Sequence, residues 1–335
     1  MKSDARYGLK RREILTKGLF SAAAGVLAPS GMAWAQAGAT AKIIVPYAPG
    51  AATDQLARMT ALVLDEAMGG TKYVVENRAG GGSQIGTRAV AAAAPDGLTL
   101  GFIDTAFVIN PALVGDKLPY DTRRDFTPLS LTASAPFVVQ VHSSIPANTL
   151  AEFVALCKSN PGKYSFGSSG QGSAPHLAGE QFRHAARIEV NHAPYRGGST
   201  VLNDLIAGHI HFGFTTVPTM IEHIRAGTVR ALAVTGNKRA VQLPNVPAFA
   251  ELGLPEVDAQ PIFGLIGPAQ LPAPLVQRLS AAASQAVRTG PMGQRLAEMG
   301  FFPIGSSAAE FRTRIDAEID KWAAVVKTAG IKPGA

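Results

Sequence analysis

The 335-residue sequence has one cysteine, few charged side chains (16%) and no long apolar run beyond its N-terminal segment. One cysteine excludes an intramolecular disulfide. The absence of a second apolar run excludes a membrane span in the rest of the chain, because a span needs about 20 apolar residues. The apolar share of 47% is typical of a globular protein, and the length suffices for two domains of ordinary size.

Clusters of one charge sign are also missing. The formal net charge is +7, but residues 1–37 hold six cations and two anions, so only +3 belongs to the rest of the chain. A mild excess without a Lys/Arg cluster argues against nucleic-acid binding. It is compatible with small anionic ligands.

The N-terminal residues 1–37 have the pattern of a secretory signal peptide: a basic start, a short apolar stretch and two Ala-x-Ala sites that end at Ala35 and Ala37. The pair Arg11-Arg12 resembles a twin-arginine export signal, although Lys10 and Thr16 depart from it. Export by the twin-arginine route or by the general secretory route both stay open. Because the apolar stretch is short and broken, we expect cleavage and a soluble protein in the periplasm.

The lone Cys157 lies in a segment whose apolar residues recur with helical spacing, on the face predicted to be buried. A buried structural thiol is therefore favoured over a catalytic nucleophile.

Apolar strands alternate with amphipathic helices throughout the remaining sequence, which predicts an α/β fold with largely parallel sheets. Two segments, near 137–144 and 259–268, have the pattern of long strands that cross between lobes. We therefore expect a two-lobed clamshell hinged by two crossing strands. One lobe comprises residues 41–141 and 259–335, the other residues 142–258, with the ligand in the cleft.

Four loops follow predicted strands and are poor in charge: residues 45–54, 103–110, 167–176 and 215–219. Ligands of open α/β sheets bind beyond the carboxyl ends of the strands. Backbone N–H groups at helix starts, with Ser and Thr hydroxyls, make a carboxylate site without arginine. The glycine run 80–82 is not a nucleotide fingerprint, since the next required glycine is replaced by Ile85.

Each loop also has a purely structural interpretation. Asp54 is a good residue for capping a helix, with Thr53 as a rival, and direct ligand contact is the alternative. Ser168, Ser169 and Ser173 are typical turn residues. Several such loops at equivalent strand ends nevertheless favour binding.

Long segments of the chain resemble the Bug family, the extracytoplasmic receptors of tripartite tricarboxylate transporters. They are IVPYAPGAATDQLAR, VVENRAGGGSQIGTRAVAAAAPDGLTL, INPAL…LPYDTRRDFTPLSL, GSSGQGSAPHLAGEQF and APYRGGSTVLNDLIAGHIHFGF…IRAGTVRALAVTG, in order from about Lys42 to Lys332. The resemblance implies a Venus-flytrap periplasmic-binding-protein fold and capture of a small carboxylate or related metabolite. It also implies integral-membrane transporter subunits as partners. We further expect a monomer without a cofactor.

The resemblance implies that the loop 49–54 and the Gly-Ser loop 168–174 hold the ligand, often through ordered waters. Together with the other strand-end loops, the candidate ligand-binding residues are Tyr47, Pro49, Gly50, Ala51, Ala52, Asp54, Thr105, Ser168, Ser169, Gly170, Ser173, Ala174, His176 and Thr215.

Two departures from the family pattern bear on the ligand. Ala51 and Ala52 stand where the family usually has glycines, so their methyl groups narrow the approach to the backbone. Thr215 stands where the family often has Asp, which removes a negative charge. We therefore expect a mono- or dicarboxylate rather than an amino acid.

Other function classes are weaker. No G-x-S-x-G nucleophile elbow is present, which argues against a serine hydrolase. His209 and His211 alternate, but no further ligand at metal spacing accompanies them, so we expect no metal site. A periplasmic partner of a signalling receptor stays an alternative.

Overall fold

A computed structural model describes residues 39–50, 52–195 and 198–331. Strands and helices alternate along these residues, as the sequence pattern predicts. The strands are β1 (Thr40–Val45), β2 (Lys72–Asn77), β3 (Thr99–Ile103), β4 (Phe126–Ser134), β5 (Phe137–His142), β6 (Ser165–Ser168), β7 (Asn191–Pro194), β8 (Phe212–Thr216), β9 (Val229–Val234), β10 (Ile262–Pro268) and β11 (Phe302–Pro303). The helices are α1 (Ala52–Ala67), α2 (Gln84–Ala91), α3 (Ala106–Val114), α4 (Leu150–Ser159), α5 (Ala174–Ala186), α6 (Gly198–Ile206), α7 (Val217–Arg225), α8 (Ala273–Arg288), α9 (Pro291–Glu298) and α10 (Ala308–Thr328).

The segment 1–37, expected to be a signal peptide, lies outside the described residues, and so does Ala51 of the first loop. Within the described part of the chain, no helix is both long and apolar enough to cross a bilayer.

The strands form two sheets, one of six strands in the order β11-β4-β10-β3-β1-β2 and one of five in the order β7-β6-β8-β5-β9. The expectation of largely parallel sheets is wrong, because both sheets are mixed. β1 runs parallel to β2 and β3, and β6 runs parallel to β7 and β8. β10 and β5 are antiparallel to both of their neighbours. No crossover helix packed on the same sheet precedes either strand, so nothing imposes the parallel direction of a βαβ unit.

The predicted α/β class and its two-lobed arrangement are confirmed by this architecture, in which the chain forms two separate sheets flanked by helices. Two passages join the sheets, a short one between β4 and β5 and a longer one, residues 235–261, between β9 and β10. One is Ala135–Pro136 and the other ends at Pro261, and they touch where the Ala135 N–H donates to the Pro261 carbonyl oxygen (3.1 Å). β5 pairs inside the five-stranded sheet. The chain thus changes sheet six residues before the expected boundary at 141. The exact division into lobes remains a proposal.

Apolar residues fill both faces of each sheet. All seven residues of β10 are buried, which accounts for its uninterrupted run IFGLIGP at the middle of the first sheet. Trp322 of α10 is fully buried in the largest cluster, where Cys157 also lies. Burial raises the pKa of the Cys157 thiol to about 12, which agrees with the predicted structural thiol.

Candidate functional site

The first loop, residues 46–50, is held by the carboxylate of Asp54. One carboxylate oxygen accepts the Gly50 N–H (3.0 Å) and the other accepts from the Asn77 amide (2.9 Å). Arg58 binds both oxygens, each at 3.0 Å. Asp54 is only 3% exposed. Asp54 is the third residue of α1, so it does not stand at the cap position before the helix. Both of its oxygens are occupied by protein groups, which favours a structural role in holding the first loop over direct ligand contact.

The pKa of Asp54 is held below its ordinary value. Burial alone would raise the pKa, but the hydrogen bonds from Arg58, Gly50 and Asn77 together outweigh it. The carboxylate consequently remains charged and keeps the loop in place at neutral pH.

Asn77, at the end of β2, is a site residue that sequence reasoning missed. Its amide donates to the Tyr47 carbonyl oxygen (3.0 Å) as well as to Asp54. Because β2 lies beside β1 in parallel register, with Val45 opposite Asn77, the amide reaches the loop directly. The only sequence signal was its position at a strand end.

Tyr47 of the first loop reaches a half-buried acid that lies in the strand-end loop 103–110 but was not itself among the candidate residues. Its hydroxyl donates to Oδ1 of Asp104 (2.5 Å), the residue after β3. Burial raises the pKa of Asp104, and it raises the pKa of Tyr47 well above 10. Thr105 is buried, and its hydroxyl accepts the Ile262 N–H (3.0 Å) beside the passage between the sheets. Thr105 therefore links the end of β3 to the start of β10, where the chain passes between the two sheets.

The Gly-Ser loop follows β6 and enters α5. The Ser168 and Ser173 hydroxyls both donate to the Gly170 carbonyl oxygen, at 2.9 and 2.7 Å. The two serines thus fold the loop around one carbonyl. The N–H groups of Ser169, Gln171 and Ala174, in contrast, have no acceptor among the described residues. They are available donors at the N-terminus of a 13-residue helix.

The stacked imidazoles of His176 and His192 hold the Gly-Ser loop through hydrogen bonds. Nδ1 of His176 accepts the Gly172 N–H (2.8 Å), and Nε2 of His192 lies 2.7 Å from the Ser168 hydroxyl. The rings are 3.8 Å apart and nearly parallel, at 13°. His176, a candidate ligand donor, is therefore a support of the loop, and His192 was missed because it lies on β7.

Both imidazoles are neutral at physiological pH. Burial, followed by the charge of Arg183, lowers the pKa of His176 to about 4. Burial, followed by His176, lowers the pKa of His192 to about 4, although Glu180 opposes this. A neutral Nδ1 is needed to accept the Gly172 N–H, so the loop geometry depends on the uncharged rings.

Thr215 lies inside β8 rather than in the loop after it, and is 9% exposed. Its hydroxyl accepts from the amide of Gln140 on the adjacent strand (3.2 Å). The carbonyl oxygen of that buried amide has no partner among the described residues.

The remaining candidates make few contacts. Pro49 is exposed, Ala52 begins α1, and Ser169 makes no side-chain hydrogen bond within the described residues.

The candidates form two groups, one on each sheet, and the groups approach at the Gly-Ser loop. Gly172 has a φ of +72°, and a Cβ there would lie 2.3 Å from Cδ1 of Leu113 on α3. The positive φ favours glycine at this position, and a larger residue would also displace the end of the Leu113 side chain. No hydrogen bond joins the two groups across the described residues, and no cluster of three or more His, Cys, Asp or Glu there could hold a metal ion.

Comparison with known proteins places this fold. The family described as TctC, "Tripartite tricarboxylate transporter family receptor", matches residues 56–331. Protein BugT of Bordetella pertussis is 33% identical over 319 residues, covering 94% of this chain and 96% of that protein. The solved structure "R. palustris Rpa4515 with adipate" is 31% identical with a TM-score of 0.80, covering 88% of this chain and 98% of that chain. "MatC (Rpa3494) from Rhodopseudomonas palustris with bound malate" is 27% identical with a TM-score of 0.75, covering 86% and 98%.

Proposed function

Because this chain belongs to the family of tripartite tricarboxylate transporter receptors, we propose that it captures a small carboxylate in the periplasm and binds it without turnover. Two structural relatives carry adipate and malate, which are both dicarboxylates. We propose that the ligand lies between the first loop and the Gly-Ser loop.

One observation carries the proposal. The Gly-Ser loop and the start of α5 present backbone N–H groups that have no acceptor among the described residues, including those of Ser169, Gln171 and Ala174. Such groups at a helix N-terminus bind anions, since the helix dipole adds a partial positive charge. No lysine or arginine is required, which suits the low charge of these loops.

The proposed partners are the integral-membrane subunits of a tripartite tricarboxylate transporter, and the proposed active form is a monomer. The family match supports such a partner. Delivery to a membrane protein requires that the receptor first be exported.

A dicarboxylate series tests the function. We expect succinate, glutarate, adipate or their 2-hydroxy and 2-amino derivatives to raise the unfolding temperature of the mature protein. A ligand that binds only the folded state stabilises by about 2.7 kcal/mol at a hundredfold excess over Kd. Differential scanning fluorimetry measures the shift. The dimethyl esters of the same acids are the matched controls, since they keep the skeleton without the charges. No shift with any acid, or equal shifts with acid and ester, would contradict the proposal.

Export is tested separately. We expect the protein recovered from the periplasm to begin at residue 36 or 38, because the two Ala-x-Ala sites end at Ala35 and Ala37. N-terminal sequencing gives the answer, and an exported protein that still begins with Met1 would contradict cleavage. An Arg11→Lys/Arg12→Lys variant that is no longer exported would assign the twin-arginine route. Unchanged export of that variant would assign the general secretory route.

A further inference from the structure

Asp104 directly follows β3, at the edge of the six-stranded sheet where the parallel strands β1, β2 and β3 end. We call this the ligand edge. β1 and β3 are parallel neighbours with Ile44 opposite Gly101, so three residues further on Tyr47 stands beside Asp104. Their hydrogen bond follows from this register. The carboxyl ends of neighbouring parallel strands are where α/β proteins bind ligands.

Among the described residues, hydrogen bonds reach only one oxygen of Asp104. Oδ1 accepts both the Tyr47 hydroxyl (2.5 Å) and the Ala106 N–H at the start of α3 (2.9 Å). Oδ2 accepts no hydrogen bond from the described residues, and no described lysine, arginine or histidine lies within 4.0 Å of the carboxylate. The residue as a whole is half-buried. An acceptor oxygen without a partner among the described residues therefore stands at the ligand edge.

Capping of α3 does not explain this arrangement. The cap uses Oδ1 alone, and an amide or hydroxyl side chain would provide it equally well. A carboxylate without a cation is costly where burial raises its pKa, as it does here. Capping of α3 therefore does not account for Oδ2, the second carboxylate oxygen of Asp104.

A free carboxylate oxygen repels a second carboxylate and attracts a hydrogen-bond donor. The absence of Asp at position 215 favoured a mono- or dicarboxylate over an amino acid, but Asp104 supplies a negative charge from the other sheet. Resting on the proposed function, we infer that Asp104 is a specificity-determining residue: its Oδ2 accepts a hydrogen bond from a hydroxyl or ammonium group on the ligand. The receptor then prefers a substituted dicarboxylate over the same carbon skeleton without a donor.

The test compares ligand triads in the wild type and in Asp104→Asn. Each triad has one chain length and differs only at C2: succinate, malate and aspartate; glutarate, 2-hydroxyglutarate and glutamate; adipate, 2-hydroxyadipate and 2-aminoadipate. In Asp104→Asn the amide oxygen keeps the bonds to Tyr47 and Ala106, while the NH2 group replaces Oδ2 as a donor. Calorimetry gives Kd for the triad that binds most tightly.

We expect the wild type to bind one donor-bearing acid about ten-fold more tightly than the unsubstituted acid, and Asp104→Asn to reduce that ratio to about two-fold or reverse it. A preference for the amino acid assigns an ammonium group, and a preference for the hydroxy acid assigns a hydroxyl. The control is Asp116→Asn, an exposed acid beyond the other end of α3, which should leave the ratio unchanged.

Two results would overturn the assignment: a wild type that prefers the unsubstituted acid, or a ratio that is equal in both proteins. Thermal unfolding of Asp104→Asn confirms that the variant is folded when the ratio is measured. Failure of every acid to bind the wild type has a different meaning, because it contradicts the proposed function itself.

Discussion

Replacing Asp54 by alanine is expected to abolish most ligand binding and to destabilise the protein. The substitution removes the acceptor for the Gly50 N–H, the Asn77 amide and the Arg58 guanidinium at once. Hydrogen bonds to charged groups contribute about 1.5–3 kcal/mol, while the exposed donors of Gly50 and Arg58 can bind water once the carboxylate is gone. We expect the free energy of unfolding to fall by roughly 3 kcal/mol. Affinity for the best dicarboxylate should fall by about ten-fold or more, since the first loop loses its anchor.

Urea unfolding and calorimetry measure the two effects. Asp54→Asn should be intermediate, because one amide oxygen can still accept the Gly50 N–H while the Arg58 pair is lost. The matched control is Glu66→Ala, an exposed acid on the same helix. Wild-type affinity in Asp54→Ala would show that the first loop does not shape the ligand site.

Acid is expected to destabilise the protein through the stacked histidines. The pKa values of His176 and His192 are lowered from 6.5 to about 4 in the folded protein. Between these values the unfolded chain binds more protons than the folded one, so stability falls as the pH drops from about 6.5 to 4. At 1.36 kcal/mol per pKa unit, His176 alone contributes up to about 3 kcal/mol of this loss. His192, which is more exposed, contributes less.

A double variant, His176→Phe/His192→Phe, tests whether these two histidines cause the fall in stability at low pH. It keeps two stacked rings, but neither ring can be protonated. We expect its stability at pH 7 to be lower, since the bonds to Gly172 and Ser168 are lost. Between pH 6.5 and 4 its stability should fall less steeply than that of the wild type. His209→Phe, at a mostly exposed position, is the control and should keep the wild-type slope. Chemical unfolding at a series of pH values gives the comparison, and identical slopes for wild type and double variant would refute the assignment.

The candidate site was only half visible in the sequence. Loops such as 45–54 and 167–176 can be recognised in the sequence by glycine, proline and serine after an apolar run, because these residues act through local backbone geometry. Asn77 and His192 gave no comparable signal, and Asp104 lies in the strand-end loop 103–110 without having been a candidate itself. Their partners Asp54, Tyr47 and Ser168 lie 23, 57 and 24 residues away in the chain.

The sequence by itself determined the alternation of strands and helices, the burial of Cys157 and the positions of the strand-end loops. These properties follow from the periodicity of apolar residues and from turn chemistry within a few residues. Only the tertiary structure decided the mixed direction of the sheets, the places where the chain passes between them at Ala135 and Pro261, and the support of each loop by a residue of a neighbouring strand. Strand register brings those residues together, and register is a property of two distant segments at once. For the same reason, only the pairing of β1 with β3 places Tyr47 beside Asp104 and leaves Oδ2 of Asp104 without a partner among the described residues.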